Sequence, residues 1–213
     1  PDSTVEDAPI TAGRWSPKTD NGRYLGATTL RNALAQSLNT VAVRLLLDSG
    51  VDKVAATARR LGMKSPLRRD ASLALGTSEV SLLDLTGAYA AFANGGYVNE
   101  PYAIRRVRTG AGKILFQRID AKSDVAIPRG SVAAMNDMLE AAVATGTGRR
   151  AAIPGRTVAG KTGTSQDFRD AWFVGYTTGL TAGVWVGNDD GRTMNKVVGG
   201  SLPAEIWREV MLA

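Results

Sequence analysis

Hydrophobic positions recur at helical spacing soon after the chain begins. Leu30, Ala33 and Leu34 fall on one face, and after a break Val41, Leu45 and Leu46 continue the stripe until Gly50 stops it. The residues before about Gly26 are rich in Pro, Gly, Asp and Thr and predict an extended loop. A short helix is expected over Asp52–Leu61, ended by Gly62. Ser81-Leu82-Leu83-Asp84 reads as a capping box with aspartate in the acidic place. It opens an apolar helix over Leu82–Phe92, which Asn94-Gly95-Gly96 closes. Tyr102–Arg108 and Ile114–Gln117 alternate like strands around a turn at Thr109-Gly110-Ala111-Gly112. Ser131–Ala144 is helical again, with Val132, Met135, Leu139 and Val143 on one side.

Past residue 150 the texture changes. Thr157–Thr164, Ala171–Tyr176 and Leu180–Gly187 are three strand-like runs joined by short turns. Connections this short cannot make parallel crossovers, so the strands pair antiparallel. Ser201-Leu202-Pro203 starts a last amphipathic helix carrying Ile206, Trp207 and Val210. Helices first, then an antiparallel sheet, then a helix is an α+β order. The helical part is expected over about 27–150, and the sheet with its closing helix over about 151–213.

Composition narrows the chemistry. The 213 residues suit one domain or a domain and a half, with 44% hydrophobic and 22% charged residues, as in an ordinary folded protein. Histidine and cysteine are both 0, which excludes a Ser-His-Asp triad, a Cys-His pair and a Cys/His zinc site. Acid–base work falls to Lys, Asp, Glu, Tyr or Ser. No cofactor or metal is expected. The net charge is +6. The doublets Arg59-Arg60, Arg68-Arg69, Arg105-Arg106 and Arg149-Arg150 read as solvated surface, since no aromatic residues interleave with them as in many nucleic-acid binders. The other reading is attraction to an anionic polymer or membrane surface. No signal peptide or membrane-length apolar run is visible. The start at Pro1 reads as a piece of a longer polypeptide.

Residues 155–162, GRTVAGKT, fit two motifs that share one lysine. The first is the nucleotide phosphate loop G-x-x-x-x-G-K-[ST]. That motif needs a strand before it and a helix N-terminus after it, whose amides hold the phosphates. Here a proline precedes the first glycine, and a turn and a strand-like run come after. The second is the K-T-G box of penicillin-recognising serine enzymes, Lys161-Thr162-Gly163, continued by Thr164. That box belongs on an exposed strand beside a cleft, where a glycine lets a substrate backbone come close. Ser37-Leu38-Asn39, in the break between two helical runs, matches the partner box S-x-N; helix capping is the bland alternative for Ser37 and Asn39.

Two longer blocks carry a resemblance. Leu73-Ala74-Leu75-Gly76-Thr77-Ser78-Glu79-Val80-Ser81-Leu82-Leu83-Asp84-Leu85 runs on to Ala88-Tyr89-Ala90-Ala91-Phe92-Ala93-Asn94-Gly95-Gly96. Gly160-Lys161-Thr162-Gly163-Thr164 runs into Ala171-Trp172-Phe173-Val174-Gly175-Tyr176 and Gly183-Val184-Trp185-Val186-Gly187-Asn188-Asp189. With the closing Leu202-Pro203-Ala204-Glu205-Ile206-Trp207, these resemble the transpeptidase domain of class A penicillin-binding proteins, the bifunctional peptidoglycan synthases, over nearly the whole chain. The resemblance implies that fold, shared with serine β-lactamases, and a serine acyltransferase. In such an enzyme a serine attacks a D-Ala-D-Ala stem peptide, releases D-alanine and passes the acyl group to an amine; β-lactams acylate the same serine. It implies that Ser37 relays a proton to the leaving amine and Asn39 hydrogen-bonds the substrate amide. Lys161 lends positive charge, Thr162 and Thr164 bind the substrate carboxylate, and the Thr164 N–H completes an oxyanion hole.

The nucleophile breaks the pattern. The family uses S-x-x-K, and no serine in the chain has a lysine three residues on; Ser16-Pro17-Lys18 is one residue short. The expectation is that the S-x-x-K segment lies upstream of Pro1, that the chain alone cannot be acylated, and that the glycosyltransferase domain and membrane anchor lie outside it. The implied partners are the stem peptide and β-lactams, with no nucleic acid, on the periplasmic face of a bacterial inner membrane. A class A β-lactamase is disfavoured by Ser-Leu-Asn in place of Ser-Asp-Asn and by the lack of a nearby E-x-x-L-N. A D,D-carboxypeptidase and a non-catalytic module that holds peptide or β-lactam remain open.

Overall fold

The computed structural model describes residues 1–19, 22–98, 100–119 and 125–213. Where the sequence predicted only loop, Thr4–Asp7 (β1) pairs antiparallel with Gly26–Thr29 (β2). These strands are short and mostly polar, so no period-2 apolar signal marked them; their pairing is a long-range event. Asp7 ends β1 fully buried. Its carboxylate accepts the Leu25 N–H at 2.8 Å and the Thr40 hydroxyl, tying the ribbon to the helices.

The helices follow the apolar spacing closely. Leu30–Ala35 (α1) is capped by Thr29, whose side chain accepts the Asn32 N–H. Asn39–Ser49 (α2) ends at Gly50, with φ of 91°, and Val51–Arg60 (α3) comes next. Leu82–Ala93 (α4) starts at Ser81, whose hydroxyl accepts the Asp84 N–H at 3.1 Å. The reciprocal arm of the expected capping box is replaced. The Asp84 carboxylate turns to the Ser65 hydroxyl and the Ser65 and Lys64 amides, and the Ser81 N–H donates to the Ser65 hydroxyl. At the other end the Gly96 N–H reaches the Ala91 carbonyl at 2.7 Å, the Schellman closure that a glycine at positive φ permits. Arg106–Arg108 (β3) and Ile114–Gln117 (β4) form a hairpin, and Arg129–Ala144 (α5) precedes the main sheet.

Ala159–Thr164 (β5), Asp170–Tyr176 (β6) and Thr181–Gly187 (β7) form an antiparallel sheet in that order, as the short turns required. Leu202–Leu212 (α6) covers one face. There Trp207, with no exposed surface, meets Phe173 edge to face at 5.2 Å, and its indole N–H donates to the Ala182 carbonyl at 3.0 Å. The stripe that α6 buries is Pro203, Ala204, Trp207 and Met211, whereas Ile206 and Val210 face outward, which corrects their expected place on its apolar side. The stripe recurs at i, i+1, i+4 and i+8, and the two β-branched residues lie beside it. On the other face of the sheet, Tyr176 and Ala159 pack with Leu139 of α5, Leu34 of α1, and Tyr89 and Phe92 of α4. The result is helix, sheet and helices in layers, with β5 at one edge.

Candidate active site

The turn between α1 and α2 holds the first box. Leu38 N–H returns to the Ala33 carbonyl and Ser37 N–H to the Leu34 carbonyl, closing α1 tightly. Ser37 sits there at φ of 58°, a left-handed conformation that costs a non-glycine residue about 1–2 kcal/mol. The capping alternative does not hold. The residue that caps α2 is Leu38, with no side-chain hydrogen bond, and Ser37 closes α1 through its backbone, so neither the Ser37 hydroxyl nor the Asn39 side chain is spent on capping α2. Ser37 is exposed. Asn39 donates through Nδ2 to the Lys18 carbonyl at 2.9 Å, which brings the loop before β2 against the turn. Its Oδ1 and second N–H are outside that bond.

The second box lies on β5, the edge strand. The Ser165 N–H donates to the Asp170 carbonyl, so Ser165 faces β6. Backbone direction alternates along a strand. Gly163 and Lys161 therefore bond to β6, while Thr164, Thr162 and Gly160 turn their N–H and C=O groups to the open edge. Side chains alternate between the faces. Thr162 shares its face with Phe173, toward α6; Lys161 shares the other with Val174. The Lys161 ammonium nevertheless curls round the edge to the Thr162 carbonyl at 3.2 Å and the Thr162 hydroxyl at 3.4 Å. A cation, two threonine hydroxyls and an outward Thr164 N–H thus gather along one strand edge.

Two segments that the motifs did not announce hold this edge in place. Thr147, just after α5, donates its N–H to the Ala35 carbonyl, and its hydroxyl lies 2.7 Å from the Thr162 hydroxyl. The Ser37 turn and the K-T-G strand are therefore linked through two hydrogen bonds on one residue. A Cβ at Gly146 would lie 2.2 Å from the Ala35 carbonyl oxygen, so only glycine lets this link form. The Gly199 N–H donates to the Thr164 hydroxyl at 3.0 Å. A Cβ on Gly199 would meet the Trp172 and Gly163 carbonyl oxygens at 2.3 and 2.5 Å. The small-residue run Thr145-Gly146-Thr147-Gly148 and the pair Gly199-Gly200 were the only sequence signals of these contacts.

The phosphate-loop reading fails on this geometry. Gly160, Lys161 and Thr162 lie inside an antiparallel strand, and the chain then makes only a three-residue 3-10 turn at Gln166–Phe168. No helix N-terminus directly follows the lysine to hold phosphates.

Residues 1–212 match the family described as penicillin binding protein transpeptidase domain. The chain belongs to that family. Curated relatives agree: it is 42% identical to penicillin-binding protein 1A of Aquifex aeolicus over 92% of the chain and 27% of that protein. It is 37% identical to penicillin-binding protein 1A of Neisseria meningitidis over 98% of the chain and 28% of that protein. The chain thus spans about a quarter of the length of these curated relatives. Among solved structures, penicillin-binding protein 1A from Haemophilus influenzae superposes with a TM-score of 0.88 at 28% identity, covering 99% of this chain and 39% of that one. PonA1 from Mycobacterium tuberculosis gives 0.89 at 28% identity, over 99% of this chain and 62% of that one. The same protein in complex with penicillin V gives 0.87, over 98% and 62%. The α+β transpeptidase fold is therefore the fold of this chain.

Within the transpeptidase domain, burial removes the core tyrosines from acid–base work. It pushes the Tyr89 phenol up to about 12, and it is the largest of the causes that raise Tyr176, whose hydroxyl donates to Asn136 at 2.7 Å. With histidine and cysteine absent, Lys161 and the hydroxyls along β5 are the polar groups gathered at the open edge.

Proposed function

We propose that this chain supplies the S-x-N and K-T-G boxes of a peptidoglycan D,D-transpeptidase, and that the acylated serine belongs to an S-x-x-K segment outside these residues. The observation that carries the reading is the edge of β5: Lys161 and Thr162 side by side, Thr164 N–H pointing outward, and the Ser37 turn fixed to them through Thr147. In this reading the serine attacks the carbonyl of the penultimate D-alanine. The Thr164 N–H stabilises the oxyanion, and Ser37 relays a proton to the amine of the departing D-alanine. An acceptor amine then attacks the acyl-enzyme and frees the serine. Thr162 and Thr164 hold the substrate carboxylate beside the Lys161 charge, and Asn39 holds the substrate amide.

Gly163 supports this reading. A Cβ there would meet only Trp172, at 3.4 Å, which is ordinary contact. Packing does not demand glycine at this position, whereas a substrate backbone lying against the strand would. The polypeptide that contains both boxes and the nucleophile works on the periplasmic side of a bacterial inner membrane, held by an anchor outside these residues. Among the described residues no helix is long and apolar enough to cross a membrane.

The test is β-lactam acylation of the polypeptide extended through its S-x-x-K. Lys161→Ala is expected to slow acylation by about 10²-fold or more, as loss of one focused charge does. Ser37→Ala is expected to slow it by about 10²–10⁴-fold, the range for a lost proton relay. Rates within about threefold of the parent for both variants would remove these residues from the mechanism. Absence of any β-lactam adduct on the extended polypeptide would favour a non-catalytic module that binds without acylation, and D-alanine release with no cross-linked product would favour a carboxypeptidase.

A further inference from the structure

The β3–β4 hairpin plays no part in the site. From Ile104 to Arg118 it carries Arg105, Arg106, Arg108, Lys113 and Arg118 and no acidic residue, while the whole chain has a net charge of only +6; Arg118 is engaged with Glu100 at 3.8 Å and with the Tyr102 ring. Every residue of both strands is exposed, Leu115 at 62% and Phe116 at 50%. Among the described residues no third strand pairs with the hairpin. A two-stranded ribbon without a packed face is only marginally stable in water.

We propose that this hairpin is a docking surface for an extended acidic segment of a partner protein, which adds to its edge as a further strand. Three features select that occupant. Open strand edges offer unpaired N–H and C=O groups that another strand can satisfy. The positive charge of Arg105, Arg106, Arg108 and Lys113 repels a second copy of the same edge and attracts carboxylates, since like charges opposite one another across strands destabilise pairing. Finally, the apolar residues do not segregate. Val107 stands opposite Phe116 on one face, while Ile114 stands opposite Arg108 on the other, beyond the register shift after Val107. A lipid surface draws apolar side chains to one face. A strand clamped along an edge instead meets alternating side chains on both faces.

The test uses the full-length protein that carries this chain and a fluorescent heptapeptide alternating glutamate and valine. The expected result is saturable anisotropy at low salt with hydrogen-exchange protection confined to β3 or β4. The double variant Arg106→Glu/Arg108→Glu should weaken binding by about tenfold or more, while penicillin acylation stays unchanged because neither residue is in the site. The same peptide N-methylated at alternate residues, in either phase, keeps every charge but loses backbone donors, and at least one phase should fail to bind. Absence of peptide binding, equal binding by both N-methylated forms, or preferential partition of the protein onto phosphatidylglycerol vesicles would overturn the proposal.

Discussion

Gly160 and Gly163 lie on the same strand, yet the surroundings ask different things of them. A Cβ at Gly160 would strike the Phe173 ring at 2.7 Å and the Val174 carbonyl at 3.0 Å; at Gly163 it would only touch Trp172. Gly160→Ala is therefore expected to destabilise the fold by about 1–3 kcal/mol through overpacking. Gly163→Ala should leave thermal unfolding nearly unchanged and still slow β-lactam acylation of the extended polypeptide. Unfolding curves and acylation rates on the two variants check the pair; the reverse pattern would mean that Gly163 serves packing. Thr147 adds a second case. Thr147→Val removes the hydroxyl paired with Thr162 and should cost about 1 kcal/mol or less in stability, with a larger effect on acylation. At this scale the K-T-G and S-x-N residues were legible because their letters follow a motif. Thr147, Gly146 and Gly199 were not, because what makes them matter is contact across long stretches of chain.

Among the elements, α4 shows how much of a helix can be read and where reading stops. Ser81, the apolar run and Asn94-Gly95-Gly96 marked both ends correctly. The partner of Asp84 was invisible because Ser65 is remote in sequence. The Ser65 hydroxyl is the largest cause that holds the Asp84 carboxyl below the ordinary aspartate value of 3.8. A carboxyl lowered in the folded state stabilises fully above its unfolded value, and that contribution is lost as pH falls through the folded value. Acid titration of stability should therefore show a steeper loss below about pH 3.8 in the parent than in Asp84→Asn, which no longer titrates. Parallel curves would mean that the carboxylate adds nothing there. The β1–β2 ribbon was missed outright, since four-residue polar strands carry no alternation, and α6 was placed correctly but turned by a fraction of a helical turn. Trp207→Phe keeps a ring against Phe173 but removes the indole N–H that donates to the Ala182 carbonyl beside its ladder bond, and should cost about 1 kcal/mol by denaturant unfolding.

For the molecule as a whole, the layer order was legible because its causes are local: helical spacing early, short turns between strands late. The way the layers meet was not. The Ser37 turn and the K-T-G edge are held together because α1, the loop after α5 and the segment before α6 converge on β5, through Thr147 and Gly199. The family match fixes what such an edge belongs to, while the chemistry proposed for it needs a serine that no S-x-x-K in these residues provides. The most direct measurement is peptide mapping of the benzylpenicillin adduct, on this chain and on the polypeptide extended upstream. A penicilloyl group is expected on the extended form alone, attached to a serine of S-x-x-K outside residues 1–213. An adduct on any serine within this chain would contradict that assignment.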